Sequence, residues 1–405
     1  MIFQTLDDKA DCVGIFYDNR LIFNLDDFPS DLTQTWRCSS YLRDLPVDYA
    51  SLYLEGAQLS SHLPEYLRDD WDDATKKLAA FRRSLQIARV DSNETCFFDM
   101  VPQRFLVELC VVKNKITEYI FKTLPKPERY EFYKYVALML EDISNRQVNV
   151  DRQKARTYLT DPKLRHQSAL LLAAPYVRYN QFGTKTGRLT TQAHTFPILT
   201  LNKSLRVAIK PQNDYFMELD FNGAEVRTLL GLLGKEQPSE DIHQYHLDHI
   251  FKSLSTRDEA KVAFFAWLYG SRTAAHSDEA EELSMFYNKA EILRTYYHHQ
   301  TVATPYGKKI CDVTPHHALN YLVQSTAAEL TIKQALKLDY LFRTRGTGSY
   351  IAFLIHDAVV IDMRQEDEHL RNAALTLMRS TNFGTFGVNI KEGHNLGTMS
   401  DVRCG

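Results

Sequence analysis

The sequence predicts an α+β protein, and three observations carry that reading. Two apolar runs, Tyr350 to Ile355 and Ala358 to Ile361, flank the dipeptide His356-Asp357 and read as the arms of a β-hairpin. The strand-like run Tyr215-Phe216-Met217-Glu218-Leu219 leads through Asp220 into the helix-like run Glu225-Val226-Arg227-Thr228-Leu229-Leu230. Between Ala74 and about Leu159 the pattern is helical.

Along the chain these signals mark three zones. In residues 1–73, the runs Cys12 to Tyr17 and Arg20 to Asn24, split by Asp18-Asn19, predict a β-hairpin in a small α/β module. In residues 74–160, Phe105 to Cys110 and Tyr130 to Ile143 are amphipathic helical segments divided by Pro125 and Pro127. In residues 161–405, strands and helices mix, with no internal repeat or low-complexity tract.

The chemistry starts from two aspartates. Asp357 at a hairpin apex is aimed rather than buried, and Asp220 ends a strand. Two such carboxylates can clamp a pair of divalent ions about 3.5–4 Å apart, the arrangement that stabilises both attacking and leaving oxygens in phosphoryl transfer. Taken singly, an aspartate at a turn or strand end is a cap or Asx-turn residue. Between them lies Arg257-Asp-Glu-Ala-Lys261-Val-Ala-Phe-Phe265-Ala-Trp-Leu-Tyr269-Gly270. Steps of four residues drift only about 40° on a helix, so Arg257, Lys261, Phe265 and Tyr269 form one stripe. Two cations followed by two rings can serve a triphosphate at one end and a stacked base at the other. The plainer reading is an amphipathic helix with a solvated start and a buried aromatic end.

In this order and spacing the elements resemble the signature motifs of the family A DNA polymerases, the group of bacterial DNA polymerase I. Asp220-Phe-Asn-Gly-Ala-Glu225-Val-Arg227 is similar to motif A, Arg257 to Gly270 to motif B, and Leu354-Ile-His356-Asp357-Ala358 to motif C. Thr186-Gly187-Arg188-Leu189-Thr190-Thr191 resembles the primer-contacting segment ahead of motif A, and Asp241-Ile242-His243 a short run that follows it. Thr304 to Lys309 resembles the turn after motif B, and Asn320 to Glu329 the helix ahead of motif C. The likeness runs from about Val148 to the C-terminus.

The resemblance implies a right-hand polymerase, with an antiparallel palm sheet and helical fingers at about residues 235–315, preceded by the small module and the helical segment. It implies that Asp220, Asp357 and the carbonyl of Phe221 bind two Mg²⁺ ions, with Mn²⁺ able to substitute; magnesium suits a site of few carboxylates completed by water and phosphate. Arg257 and Lys261 are then the triphosphate cations, His243 joins the substrate-binding set, Phe265 sits beside the sugar and Tyr269 near the templating pair. Glu225 resembles a steric gate against the ribose 2′-hydroxyl. Arg188, Asn320 and Gln324 resemble minor-groove readers, where acceptors are alike for every base pair, with Thr186 and His356 also on the DNA side. For His356, a turn residue without such a role is an equal reading.

Several positions depart from the pattern. Ala358 replaces the usual third acidic residue of motif C, Phe264 a common Asn, Gly223 a usual Gln, and His316 a frequent Arg. These changes touch duplex contacts more than chemistry. No Asp-x-Glu pair occurs in residues 1–150, which predicts no 3′-5′ proofreading. The interval from Asp151 to Thr186 is too short for a long helical thumb. Either the helices of residues 74–140 grip the duplex or a separate protein does, so a processivity factor or separate exonuclease is an expected partner and the isolated chain should have low processivity. This combination fits a phage or other viral polymerase.

Composition sets outer limits. At 405 residues with 44% hydrophobic content the chain can bury large cores. No apolar run approaches the ~20 residues that cross a bilayer, and the start lacks a signal-peptide pattern, so a cytoplasmic enzyme is expected. Six cysteines, at 12, 38, 96, 110, 311 and 404, form no CxxC pair, which argues for free thiols. The net charge of -3 is compatible with DNA binding only if a basic cleft, with Lys203, Arg206 and Lys210 upstream of Asp220, lies within an acidic exterior. The expected partners are primer-template DNA and dNTPs. Two other readings stay open: a single-subunit RNA polymerase, against which Glu225 and the Thr186-Gly187-Arg188 segment argue, and a non-catalytic DNA-binding subunit that has kept the fold.

Overall fold

Short alternating strands open the chain. In a computed structural model that describes residues 1–9, 11–91, 94–173, 176–269 and 277–402, β1 (Phe3–Asp8), β2 (Asp11–Tyr17) and β3 (Arg20–Ile22) form an antiparallel sheet in that order. The link from β2 to β3 is Asp18-Asn19, with φ of 48° and 58°. Two successive left-handed residues are what a two-residue hairpin turn of matching twist requires, and Asp and Asn tolerate that region. Three long helices follow: α1 (Glu65–Ile87), α2 (Gln103–Thr123) and α3 (Tyr130–Ser144). Pro125 and Pro127 fall in the link between α2 and α3, since neither can continue a helix.

The chain divides into two units, Met1–Arg146 and Gln147–Gly405, and the zone limits drawn at residues 73 and 160 do not coincide with this division. The reason lies in the packing of the first unit. Cys110 on α2 shares an apolar cluster with Leu6 and Phe16 of the sheet. Gln4 Nε2 donates to Asn114 Oδ1 at 2.9 Å and Thr117 Oγ1 at 3.2 Å, tying β1 to α2. Helix α1 crosses residue 73 without a break and lies on α2 through Ala74 and through Phe81, whose ring centroid is 4.8 Å from that of Phe105.

The second unit is built around β4 (Tyr215–Phe221), followed by α4 (Ala224–Leu232), α5 (Ile242–His249), α6 (Arg257–Leu268) and the long α7 (Pro315–Thr344). Then come β5 (Tyr350–Ile355), β6 (Ala358–Met363), β7 (Val388–Gly393) and β8 (Ser400–Asp401). The five-stranded sheet has the order β5-β6-β4-β7-β8, all neighbours antiparallel, so β4 is central and buried. Helix α6 begins with a capping box in which Thr256 and Glu259 satisfy each other's backbone donors. Helix α7 starts with Pro at its first turn, where no amide donor is needed, and packs on α4 and β5.

Two departures from the family pattern are explained by this fold. Gly223 precedes α4 at φ 67°, and a Cβ there would lie 2.5 Å from Ile242 Cγ2, so both backbone conformation and space call for glycine. Phe264 is fully buried and stacks on His246, with ring centroids 4.7 Å apart, making it a core residue of the α5–α6 cluster. Among the described residues, no helix is long and apolar enough to cross a membrane.

Candidate active site

Strand pairing places the two aspartates together. Asp220 lies one residue from the end of β4, opposite Ala358 on β6 and Asn389 on β7. Asp357 immediately precedes Ala358 in the two-residue turn closed by Ile355 and Ala358. The Phe221 amide donates to the Asp357 carbonyl at 3.5 Å. His356 occupies the left-handed region at φ 54°, which histidine enters more readily than most residues. The Phe221 ring is buried against Phe386, leaving its backbone as the part that can face the carboxylates.

A third carboxylate stands nearby. Glu218 shares the face of β4 with Asp220 because alternate strand residues point the same way, and it is buried beside Lys391 of β7 at 3.5 Å. Burial, then the charges of Glu218 and Asp357, push the Asp220 carboxyl up to about 6, while Lys391 and a hydrogen bond from Asn389 oppose the rise. Burial also raises Asp357, against the pull of Arg188 and His356. Two mutually repelling, partly desolvated oxygen donors are a set that a hard divalent cation suits. Among the described residues no group of three or more His, Cys, Asp or Glu converges on a metal position.

This electrostatic frustration has a measurable consequence. Because Asp220 is raised from 3.8 to about 6, its protonated form favours the native state, and that stability is lost as pH rises through about 6. Mg²⁺ is expected to raise the melting temperature more at pH 8 than at pH 5, read by scanning calorimetry. Asp220→Asn is expected to remove most of that difference.

A second group forms around Glu225 in the first turn of α4. Its carboxylate is buried and accepts from Arg188 Nη2 on one oxygen and from the Tyr269 hydroxyl on the other. Burial raises its pKa, opposed by these two partners. Tyr269 also bonds to Gln324 on α7 and stacks on Phe265 at 5.9 Å and 20°. Arg188, Glu225, Phe265, Tyr269 and Gln324 are thus brought together. Asn320, one helical turn before Gln324, has a buried Oδ1 with no hydrogen-bond partner. Arg188 and His356 line one cleft with Leu189, Leu199, Thr331 and Leu354. Thr186 is buried beside Thr184, and Gly187 turns the chain at φ 80°.

The third group carries cations. Arg257 and Lys261 lie one turn apart on α6; Lys261 is exposed and has no ion pair among the described residues. Arg257 Nη2 donates to Asp241 Oδ2 at 2.7 Å. His243 is buried in the first turn of α5, its pKa lowered to about 4 by burial, and its Nδ1 has no partner. It therefore presents a neutral imidazole. Gly270, the last residue of the motif B resemblance, lies outside the described residues, as does Cys404.

Sequence reasoning missed Glu218, Asn389 and Lys391. The spacing Glu218-x-Asp220 on a strand is a signal that could have found the first. No local pattern marks the other two, which reach the site only through the pairing of β7 with β4.

No protein-family model matches the chain, and no curated protein matches its sequence. Among solved structures, the chain is similar to the POL domain of Pol1 from M. smegmatis in complex with DNA primer-template and dNTP. The TM-score is 0.54 at 13% identity, over 73% of this chain and 76% of that one. The likeness is one of fold, to a polymerase domain, across about three quarters of each chain.

Proposed function

We propose that the chain is a template-dependent DNA polymerase of the family A type, adding dNMPs to a primer 3′-hydroxyl without 3′-5′ proofreading. The observation that carries this reading is the placement of Asp220 and Asp357 by adjacent strands of one antiparallel sheet, in a fold shared with a polymerase domain. Primer-template and dNTP, with which the M. smegmatis domain was solved, are the proposed substrates.

In this reading Asp220, Asp357 and the Phe221 carbonyl hold two Mg²⁺ ions. When bound, such ions would supply Lewis-acid stabilisation of the negative charge that develops on the reacting oxygens. Arg257 and Lys261 hold the triphosphate and offset the charge that reaches the departing pyrophosphate, and neutral His243 offers a ring donor. Phe265 and Tyr269 pack against sugar and base. Glu225, fixed by Arg188 and Tyr269, crowds the 2′ position. Asn320 and Gln324 face the minor groove near the primer terminus, with Thr186 and His356 shaping the same side. The helical segment of residues 74–160 is a candidate thumb substitute, and a processivity factor or separate exonuclease is a candidate partner.

The test is extension of a recessed primer-template by the purified chain with Mg²⁺ and either dNTPs or rNTPs. Extension with dNTPs is expected; preferential use of rNTPs replaces this reading with an RNA polymerase, and duplex binding without extension replaces it with a non-catalytic subunit. In Glu225→Ala the preference for dNTP over rNTP is expected to shrink on the order of 10–100-fold, as when one steric contact is removed from a pocket. Competition kinetics on the same template give that ratio.

A further inference from the structure

Beyond the residues that face substrate, one carboxylate ties the Asp220 strand to the cation group. Asp241 caps the N-terminus of α5, its Oδ1 accepting from the amides of His243 at 2.9 Å and Gln244 at 3.0 Å. Its Oδ2 accepts from Asn222 Nδ2 at 2.6 Å and from Arg257 Nη2 at 2.7 Å. Asn222, two residues after Asp220, is buried and also accepts the Ile242 amide at 3.1 Å on its Oδ1. The loop beyond is fixed by the fully buried Arg227, which donates to the carbonyls of Asn222, Pro238 and Glu240 at 2.7–2.8 Å. A continuous path of short hydrogen bonds thus runs from the Asp220 strand through Asn222 and Asp241 to Arg257.

We infer that Asp241 is a positioning residue that sets the Arg257 guanidinium in register with the Asp220 strand, and so governs nucleotide affinity. This inference rests on the polymerase reading. A free arginine at a helix start samples many rotamers, and ordering it on nucleotide binding costs entropy. Anchoring one Nη2 hydrogen on Asp241 removes much of that freedom. The guanidinium has five N–H donors, of which Asp241 and the exposed Asp258 take one each. Three remain for phosphate oxygens, so the anchor and the ligand are held together rather than in exchange. The Asp241 carboxylate has four donors, which keep it well below the usual carboxylate range despite its burial.

Asp241→Asn is the informative variant because asparagine is as good an N-cap as aspartate, so α5 keeps its start while Arg257 loses a charged partner. The expected result is a KM for dTTP, opposite a templating adenine, raised about tenfold or more with kcat changed less than about threefold. The same shift is expected in the Kd of dTTP measured on a dideoxy-terminated primer-template. In an Arg257→Lys background the substitution is expected to add little, since the two act as one unit. An unchanged KM and Kd in Asp241→Asn, or a fall in kcat together with a lowered melting temperature, overturns the positioning role while leaving the polymerase reading in place. A wild-type protein that binds duplex yet neither extends it nor binds dTTP overturns the polymerase reading, and this inference with it.

Discussion

Replacement of Asp220 or Asp357 by alanine is expected to lower dNTP extension by about three orders of magnitude or more, the scale on which preorganised charge stabilisation acts in a site of this kind. Either change removes half of the carboxylate pair. Neither should unfold the protein: both carboxyls are raised by burial, so their charges cost native stability when no cation is present. Single-turnover extension combined with calorimetry makes the comparison. The expected pattern is lost extension with a metal-free melting temperature at pH 8 equal to or above that of the wild type. Retained extension in both variants removes Asp220 and Asp357 from the chemistry.

Lys261→Met is expected to have the second largest effect, a fall of about 100-fold in kcat/KM for dNTP with primer-template affinity nearly unchanged. Its ammonium has no ion pair among the described residues and stands one turn beyond Arg257 on the exposed side of α6. A cation so placed adds little to folding, so its loss should show in nucleotide use rather than in stability. Lys261→Arg should restore part of the activity, since charge is kept while the point geometry of the ammonium is not. Nucleotide titrations at fixed primer-template separate the two parameters.

The parts of this fold that were legible in the sequence are those whose signal is local. The Asp18-Asn19 turn, the hairpin around His356-Asp357, and the prolines between α2 and α3 each follow from backbone preferences at a few adjacent residues. The stripe of α6 was legible because helical spacing is periodic, and the structure does bring Phe265 and Tyr269 into a stack. What was not legible depends on distant pairing. Asn389 and Lys391 meet Asp220 and Glu218 across a ladder that joins segments far apart in the chain. The joining of the first two zones into one unit rests on Cys110 meeting Leu6 and Phe16, a contact no window of sequence contains. Phe264 and Gly223 looked like altered contact residues; one is a core side chain and the other a backbone device, and only the neighbours of each reveal that.

The central position of β4 also determines which genetic changes the protein can survive. Phe216, Met217 and Leu219 are nearly or wholly enclosed, and apolar exchanges of similar volume there are tolerated at modest cost. Insertion or deletion of a single codon between Tyr215 and Leu219 is a different event. It turns Asp220 to the opposite side of the sheet while leaving the composition of the strand almost intact. Variation in this segment should therefore consist of substitutions and lack length changes, a pattern that a library of random in-frame indels selected for soluble expression and then for activity can display.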